Sequence, residues 1–171
     1  MQSDALTLYK LMILFILDKV DFPLTNAQMT GFILEKEYTN YFNVQQAISE
    51  IKEAGLVSSE TVRNSSLFQI TDAGRETLEF FNSDIPDAIK NDILEYLKEH
   101  KYELREEVST LADFYEAKKD EFIAHCVVRE RGSSIIEISL NVPTEEEAET
   151  ICSNWRDKSQ EIYAYLMRTL M

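Results

Sequence analysis

The stretch from Asn43 to Phe80 limits the fold more than any other part of the chain. Val44, Ala47, Ile48, Ile51 and Ala54 recur at the three- and four-residue spacing of a helix with one apolar face. Asn43 stands where a cap is expected, with Gln46 three residues on. Gly55 supplies a left-handed residue just past the helix end. Leu56–Arg63 and Leu67–Thr71 then read as two strands joined by the polar tip Asn64-Ser65-Ser66. Thr71 caps a further helix to about Asn82, with Leu78, Phe80 and Phe81 along it. The order is helix, hairpin, helix.

Two more helices precede it. Leu6, Leu8, Leu11, Met12, Phe15 and Ile16 give residues 5–19 the wide apolar face of a core helix. Residues 21–24 form a connector, because Pro23 disfavours helix in the residue before it. Thr25 and Gln28 match a capping box, and a second helix is predicted from there to about Tyr38, with Met29, Phe32 and Ile33 inward. Thr39–Phe42 make the turn. The whole of residues 1–82 therefore reads as a winged helix-turn-helix domain.

The remainder, 83–171, is expected to be a separate α+β domain. A linker helix starts around Pro86, in its first turn, and reaches about Arg105. The period then changes to two. Phe122, Ala124, Cys126 and Val128 share one face, and Ile136, Ile138, Leu140 and Val142 alternate with polar residues. With Leu111–Ala117 these make a small antiparallel β-meander. Thr144 and Glu147 match a capping box, opening a long C-terminal helix with Ala148, Ile151, Trp155, Ile162 and Leu166 as its main stripe. The expected fold class is α+β.

Charge restricts the partners. The chain carries a net charge of −14. Residues 1–82 hold 11 acids and 6 bases, a net of −5, and the rest hold 20 acids and 11 bases, a net of −9. A large nonspecific grip on nucleic acid needs clustered Lys and Arg, which neither part offers. Two cysteines in 171 residues make no disulfide framework. The start of the chain lacks the basic residues of a signal peptide, and the apolar run Leu11–Leu17 is too short to span a bilayer. A cytoplasmic protein without a membrane partner is expected.

Catalytic signals are poor. His125 and Cys126 are adjacent on a predicted strand, so they point to opposite faces and cannot pair as base and nucleophile. His100 lies in a charged helical stretch. The chain has no metal-ligand spacing and no Gly-rich phosphate loop, and Glu145–Glu147 fit a charged first helical turn. No enzyme activity, metal or cofactor is expected.

Three surfaces are candidates for contact. In a helix-turn-helix the start of the second helix enters the major groove, and here it offers Asn43, Gln45, Gln46 and Ser49, preceded by Thr39, Asn40 and Tyr41. Asn and Gln can bond adenine bidentately. Equally, Asn43 and Gln46 can serve only as caps. At the hairpin tip, Arg63, Asn64, Ser65 and Ser66 suit a groove or phosphate contact, or an ordinary polar turn. Trp155, Ile162, Tyr163, Leu166, Met167 and Leu170 exceed what one packing face needs; the helix can simply cover the small sheet, but the favoured reading puts its N-terminal part on the sheet and its last turns in a dimer across a two-fold axis.

The segment Ile51–Val57 followed by Leu67–Gly74 resembles MarR-type and PadR-type winged-helix regulators, in which a leucine-glycine helix end and a threonine–two residues–glycine strand end recur around the wing. The whole chain resembles an uncharacterised Gram-positive bacterial winged-helix family, a domain of unknown function. Leu6–Lys10, Asp21–Asn26, Arg63–Ser66 and Ser159–Leu166 carry that likeness. The resemblance implies a homodimeric regulator of transcription that binds double-stranded DNA. The alternative, from the acidic charge, is a winged helix that contacts a protein partner in a cytoplasmic complex. An effector bound by the C-terminal sheet is a third reading, and the sequence specifies no ligand for it.

Overall fold

The apolar run Leu11–Leu17 becomes the middle of helix α1 (Gln2–Asp18), and all seven of its side chains are buried. A helix buried on every side must be central, and α1 packs against three later elements of its unit, namely α3 (Tyr41–Glu53), strand β3 (Ser65–Ile70) and α4 (Asp72–Phe80). The computed structural model describes residues 2–62 and 65–171. Among them are six α-helices and two three-stranded antiparallel sheets, an α+β fold. Two compact units share the chain, Met1–Arg105 and Glu106–Met171.

In the first unit, α1 is followed by strand β1 (Leu24–Thr25), helix α2 (Asn26–Glu35), α3, strand β2 (Val57–Val62), β3 and α4. Most of α5 (Asp87–Ser109) belongs to this unit as well. The sheet order is β1-β3-β2. Strand β1 lies where the sequence suggested a plain connector: Leu24 pairs with Phe68 and Thr25 with Leu67. Because β3 is thereby the middle strand, its neighbouring side chains Leu67 and Phe68 are both buried.

Local chemistry explains most helix boundaries. The Thr25 capping box forms as expected: the Thr25 hydroxyl accepts from the Gln28 N–H at 3.1 Å, and the Gln28 amide oxygen accepts from the Thr25 N–H at 3.0 Å. Helix α3 ends in a Schellman motif, with Leu56 N–H bonded to Ile51 C=O at 2.9 Å and Gly55 N–H to Lys52 C=O at 3.1 Å. Gly55 sits at φ +73°, where a glycine is favoured.

Helix α2 stops at Glu35, short of the predicted Tyr38. The same six-residue motif ends it, with Glu37 in the left-handed position at φ 57° and Tyr38 N–H bonded to Ile33 C=O. No glycine marks that stop, so the sequence does not announce it. The cap of α3 is Asn40 rather than the expected Asn43, and Asn43 lies within the helix.

Helix α5 closes the core of the first unit. Ile85, Ile93, Leu97 and Leu104 are buried, and Tyr96 stacks on Phe32 with ring centroids 4.9 Å apart. Gln28 donates to the Leu104 carbonyl at 3.1 Å, and Arg105 donates to Asp21 at 2.8 Å. That guanidinium holds the Asp21 carboxyl below the usual range.

The Tyr38 hydroxyl donates to Asp92. Burial, and then the Asp92 carboxylate, push the Tyr38 phenol up to about 12. A folded-state value above the ordinary value of about 10 means that the fold holds this proton more tightly than the unfolded chain does. The contribution is therefore complete below about pH 10 and fades as pH rises through about 12. Urea unfolding of the native chain and of Tyr38→Phe should show a stability gap that narrows between about pH 10 and 12. A gap that stays constant over that range contradicts the assignment.

In the second unit, strands β4 (Thr110–Lys118), β5 (Glu121–Glu130) and β6 (Ser133–Val142) form a meander with β5 in the middle. Each strand is longer than the alternation in the sequence suggested. Helix α6 (Glu145–Leu170) packs on this sheet, with Ala148, Trp155 and Ser159 buried. Thr144 caps it by accepting from the Glu147 N–H. No helix among the described residues is long and apolar enough to cross a membrane.

Candidate functional site

The start of α3 is built on two polar caps and one buried stripe. Asn40 is extended, and its side-chain oxygen accepts from the Asn43 N–H at 3.0 Å. Asn43 in turn donates its amide to the Thr39 hydroxyl at 2.8 Å. Val44, Ala47, Ile48 and Ile51 face the core. This fixes the outward face as Tyr41, Phe42, Gln46 and Ser49, all of them exposed.

Gln45 is committed elsewhere. Its amide nitrogen donates to Asn26 at 2.9 Å and to the Thr30 hydroxyl at 3.0 Å, while its oxygen accepts from Asn26 at 2.8 Å. These bonds lock α3 onto α2 and use both amide protons of Gln45. Reading a base with this side chain requires breaking all three. Gln46 donates to Glu50 at 3.2 Å, and Glu50 pairs with Lys10 of α1. The Lys10 ammonium, ahead of the Gln46 amide, holds the Glu50 carboxyl below the ordinary range.

The most exposed apolar group at this end went unremarked in the sequence. Phe42 is 80% exposed and Tyr41 54%, and their rings meet edge-on at 6.0 Å. The signal was present for Phe42: it lies opposite the stripe Val44–Ala47–Ile48–Ile51, so a helix beginning at Tyr41 turns that ring outward.

At the hairpin, Ser65 and Ser66 belong to β3, paired with Val62 and Thr61 of β2, so they are not tip residues as expected. Arg63 and Asn64 lie outside the described residues.

The second unit redistributes the expected dimer residues. Trp155 is inside, 4% exposed, and its indole N–H donates to the Val127 carbonyl at 3.1 Å. Ile162 and Leu166 are half-buried. Tyr163, Met167 and Leu170 are exposed.

His125 and Cys126 have separate partners, as their adjacent strand positions require. Buried His125 lies with Nε2 2.5 Å from the Glu137 carboxylate, and the Cys126 thiol lies near Cys152 on α6. Among the described residues, no group of three or more His, Cys, Asp or Glu side chains is arranged to hold a metal ion.

A family model matches residues 9–170, nearly the full length of the chain. The chain belongs to the domain of unknown function DUF4364. No curated protein and no solved structure matches it. Membership of DUF4364 therefore brings no assigned activity.

Proposed function

We propose that this chain is a winged-helix regulator that binds double-stranded DNA as a homodimer. The observation that carries the reading is β1. By pairing with β3 it completes the order α1-β1-α2-α3-β2-β3-α4, with a three-stranded sheet and a hairpin beside α3, the arrangement of a winged helix. In that scaffold the start of α3 faces the groove. Gln46 and Ser49 are exposed there, next to the Thr39–Asn43 polar turn, and Arg63 and Asn64 occupy the hairpin tip in the sequence. Gln45 positions α3 rather than reading a base.

The dimer contact is assigned to the end of α6. Tyr163, Met167 and Leu170 follow one another at spacings of four and three residues, one stripe of a helix that leaves them 37%, 40% and 78% exposed.

Fluorescence anisotropy with labelled genomic fragments at low salt tests the reading. Saturable, sequence-dependent binding is expected, weakened by Gln46→Ala with Ser49→Ala. Because few cations are present, the slope of log K against log salt should be shallow, on the order of −4 or less steep for a dimer. Sedimentation should show a dimer that Met167→Glu with Leu170→Glu converts to monomer. Absence of saturable binding by any fragment overturns the proposal.

A second reading follows from specific observations. The net charge of −14, the engaged Gln45 and the exposed Tyr41–Phe42 pair suit a protein partner at the same face. A stoichiometric partner that is lost on Phe42→Ser, without DNA binding, selects this reading.

A further inference from the structure

Two cysteines far apart in sequence meet where α6 crosses the middle strand of the second sheet. Cys126 is 1% exposed and sits opposite Ala112 of β4 and Ile138 of β6. Cys152, in the second turn of α6, is half-buried. The Trp155–Val127 hydrogen bond, three residues along α6 and one along β5, brings the two thiols to the same helix–sheet contact, where each perturbs the other's proton. Both are free thiols. Cys152 also lines an open cleft of about 360 Å³, together with Thr110, Leu111 and Trp155. Cys152 thus borders the cleft, while Cys126 is buried in the sheet.

We propose that Cys152 is a peroxide-reactive site and that Cys126 is its resolving thiol, so that oxidation closes a disulfide between α6 and β5. In the first step the Cys152 sulfur, as thiolate, attacks one oxygen of hydrogen peroxide. An S–O bond forms, the O–O bond breaks, and the departing hydroxide takes up a proton, giving a sulfenic acid and one water. In the second step the Cys126 sulfur attacks the sulfenic sulfur. An S–S bond forms, the S–O bond breaks, and the hydroxyl leaves with the Cys126 proton as a second water. Peroxide is reduced by the two electrons that the thiols lose. The sulfurs, brought to one contact between α6 and β5, close to the disulfide length of about 2.05 Å.

The surroundings set the pace. Burial raises the Cys152 thiol, and the Asp113 carboxylate on β4 raises it further, against a smaller lowering by the Cys126 hydrogen bond. Burial, and then Cys152 and Asp113, push Cys126 up to about 11. The charged groups at the mouth are Glu107 from α5 and Arg156 from α6. Little thiolate exists at neutral pH in such a setting, so the reaction is slow there and accelerates as pH rises.

The test uses the full chain, reduced, with hydrogen peroxide as the probe. Intact mass should fall by two hydrogens, both thiols should disappear together, and a peptide joining Cys126 to Cys152 should appear on non-reducing digestion. Trp155 is the sole tryptophan and shares the cleft, so its emission should drop as the disulfide forms and return with dithiothreitol. The oxidised chain should melt higher by roughly 5 °C or more. In Cys126→Ala, a sulfenic acid at residue 152 should be trapped by dimedone, and Cys152→Ala should protect Cys126 from peroxide in the folded chain. Two titratable thiols surviving excess peroxide at pH 8.5, or a linkage only between chains, overturns the proposal. The wild-type mapping decides this even where a variant fails to fold.

Discussion

Replacing Gly74 by alanine should destabilise the first unit by about 3 kcal/mol or more, the upper end of what overpacking costs. A Cβ at this position meets the Leu56 carbonyl oxygen at 2.1 Å and Ile70 Cγ1 at 2.8 Å. The nearer atom is backbone, and it cannot turn aside. Its position is held by the Schellman turn of α3 and by the Thr71 N–H, which donates to the same oxygen at 3.1 Å. The Thr71 hydroxyl donates to Gly55 C=O at 2.7 Å and accepts from the Gly74 N–H at 3.1 Å. Thr71 and Gly74 thus tie the start of α4 to the end of α3, which gives the Gly55-Leu56 and Thr71-x-x-Gly74 pattern a physical reason.

Gly31 is the control. It lies in α2 with nothing within 4 Å of its would-be Cβ, so Gly31→Ala should stabilise by about 0.5–1 kcal/mol through helix propensity. Urea unfolding of the two variants should shift the midpoint in opposite directions at similar slope. A Gly74→Ala chain as stable as the parent would falsify the close approach.

What could be read from the chain beforehand follows a physical line. Signals complete within a few residues were legible. The Thr25–Gln28 box, the Gly55 stop and the apolar stripe of α3 from Val44 to Ile51 formed where the sequence put them, while Ala54, expected on that stripe, is exposed at the helix cap. The same-face positions Phe122, Ala124, Cys126 and Val128 and the alternation over Ile136–Val142 gave the right sheet, although each strand runs to ten residues. Signals that were degenerate or too short failed. Asn40 and Asn43 are the same residue three positions apart, and only the backbone at Asn40, extended at φ −96°, distinguishes the cap. Two residues of β1 carry no period, and their pairing with β3 is a long-range fact.

The site was less legible than the fold, because each candidate side chain had to be weighed against partners distant in sequence. Gln45 is engaged by Asn26 and Thr30, on the preceding helix. Trp155 looked surplus on a helical wheel, yet it is consumed by the sheet through Val127. Helix periodicity tells which face is apolar. It does not tell where along the helix the partner surface ends, and on α6 the last fully buried residue is Ser159.

Trp155 carries the second large expectation. Truncation to alanine removes the largest side chain at the α6–sheet contact and leaves the Val127 carbonyl without its indole donor. Large-to-small changes of this kind cost about 3–5 kcal/mol, against a total of roughly 0.05–0.15 kcal/mol per residue for a unit of this size. The second unit should therefore lose most of its stability. Because the chain has two compact units, one melting temperature is a poor measure, and amide exchange resolves them. Protection of β5 should collapse in Trp155→Ala while the buried middle of α1, in the other unit, keeps its own. Trp155→Phe separates the terms: it restores most of the apolar contact but not the N–H, and should recover all but about 0.5–1.5 kcal/mol, the net contribution of one hydrogen bond. Unchanged exchange in β5 of the alanine variant would show that α6 is held to the sheet by other residues, with Ala148 and Ser159 as the first to examine.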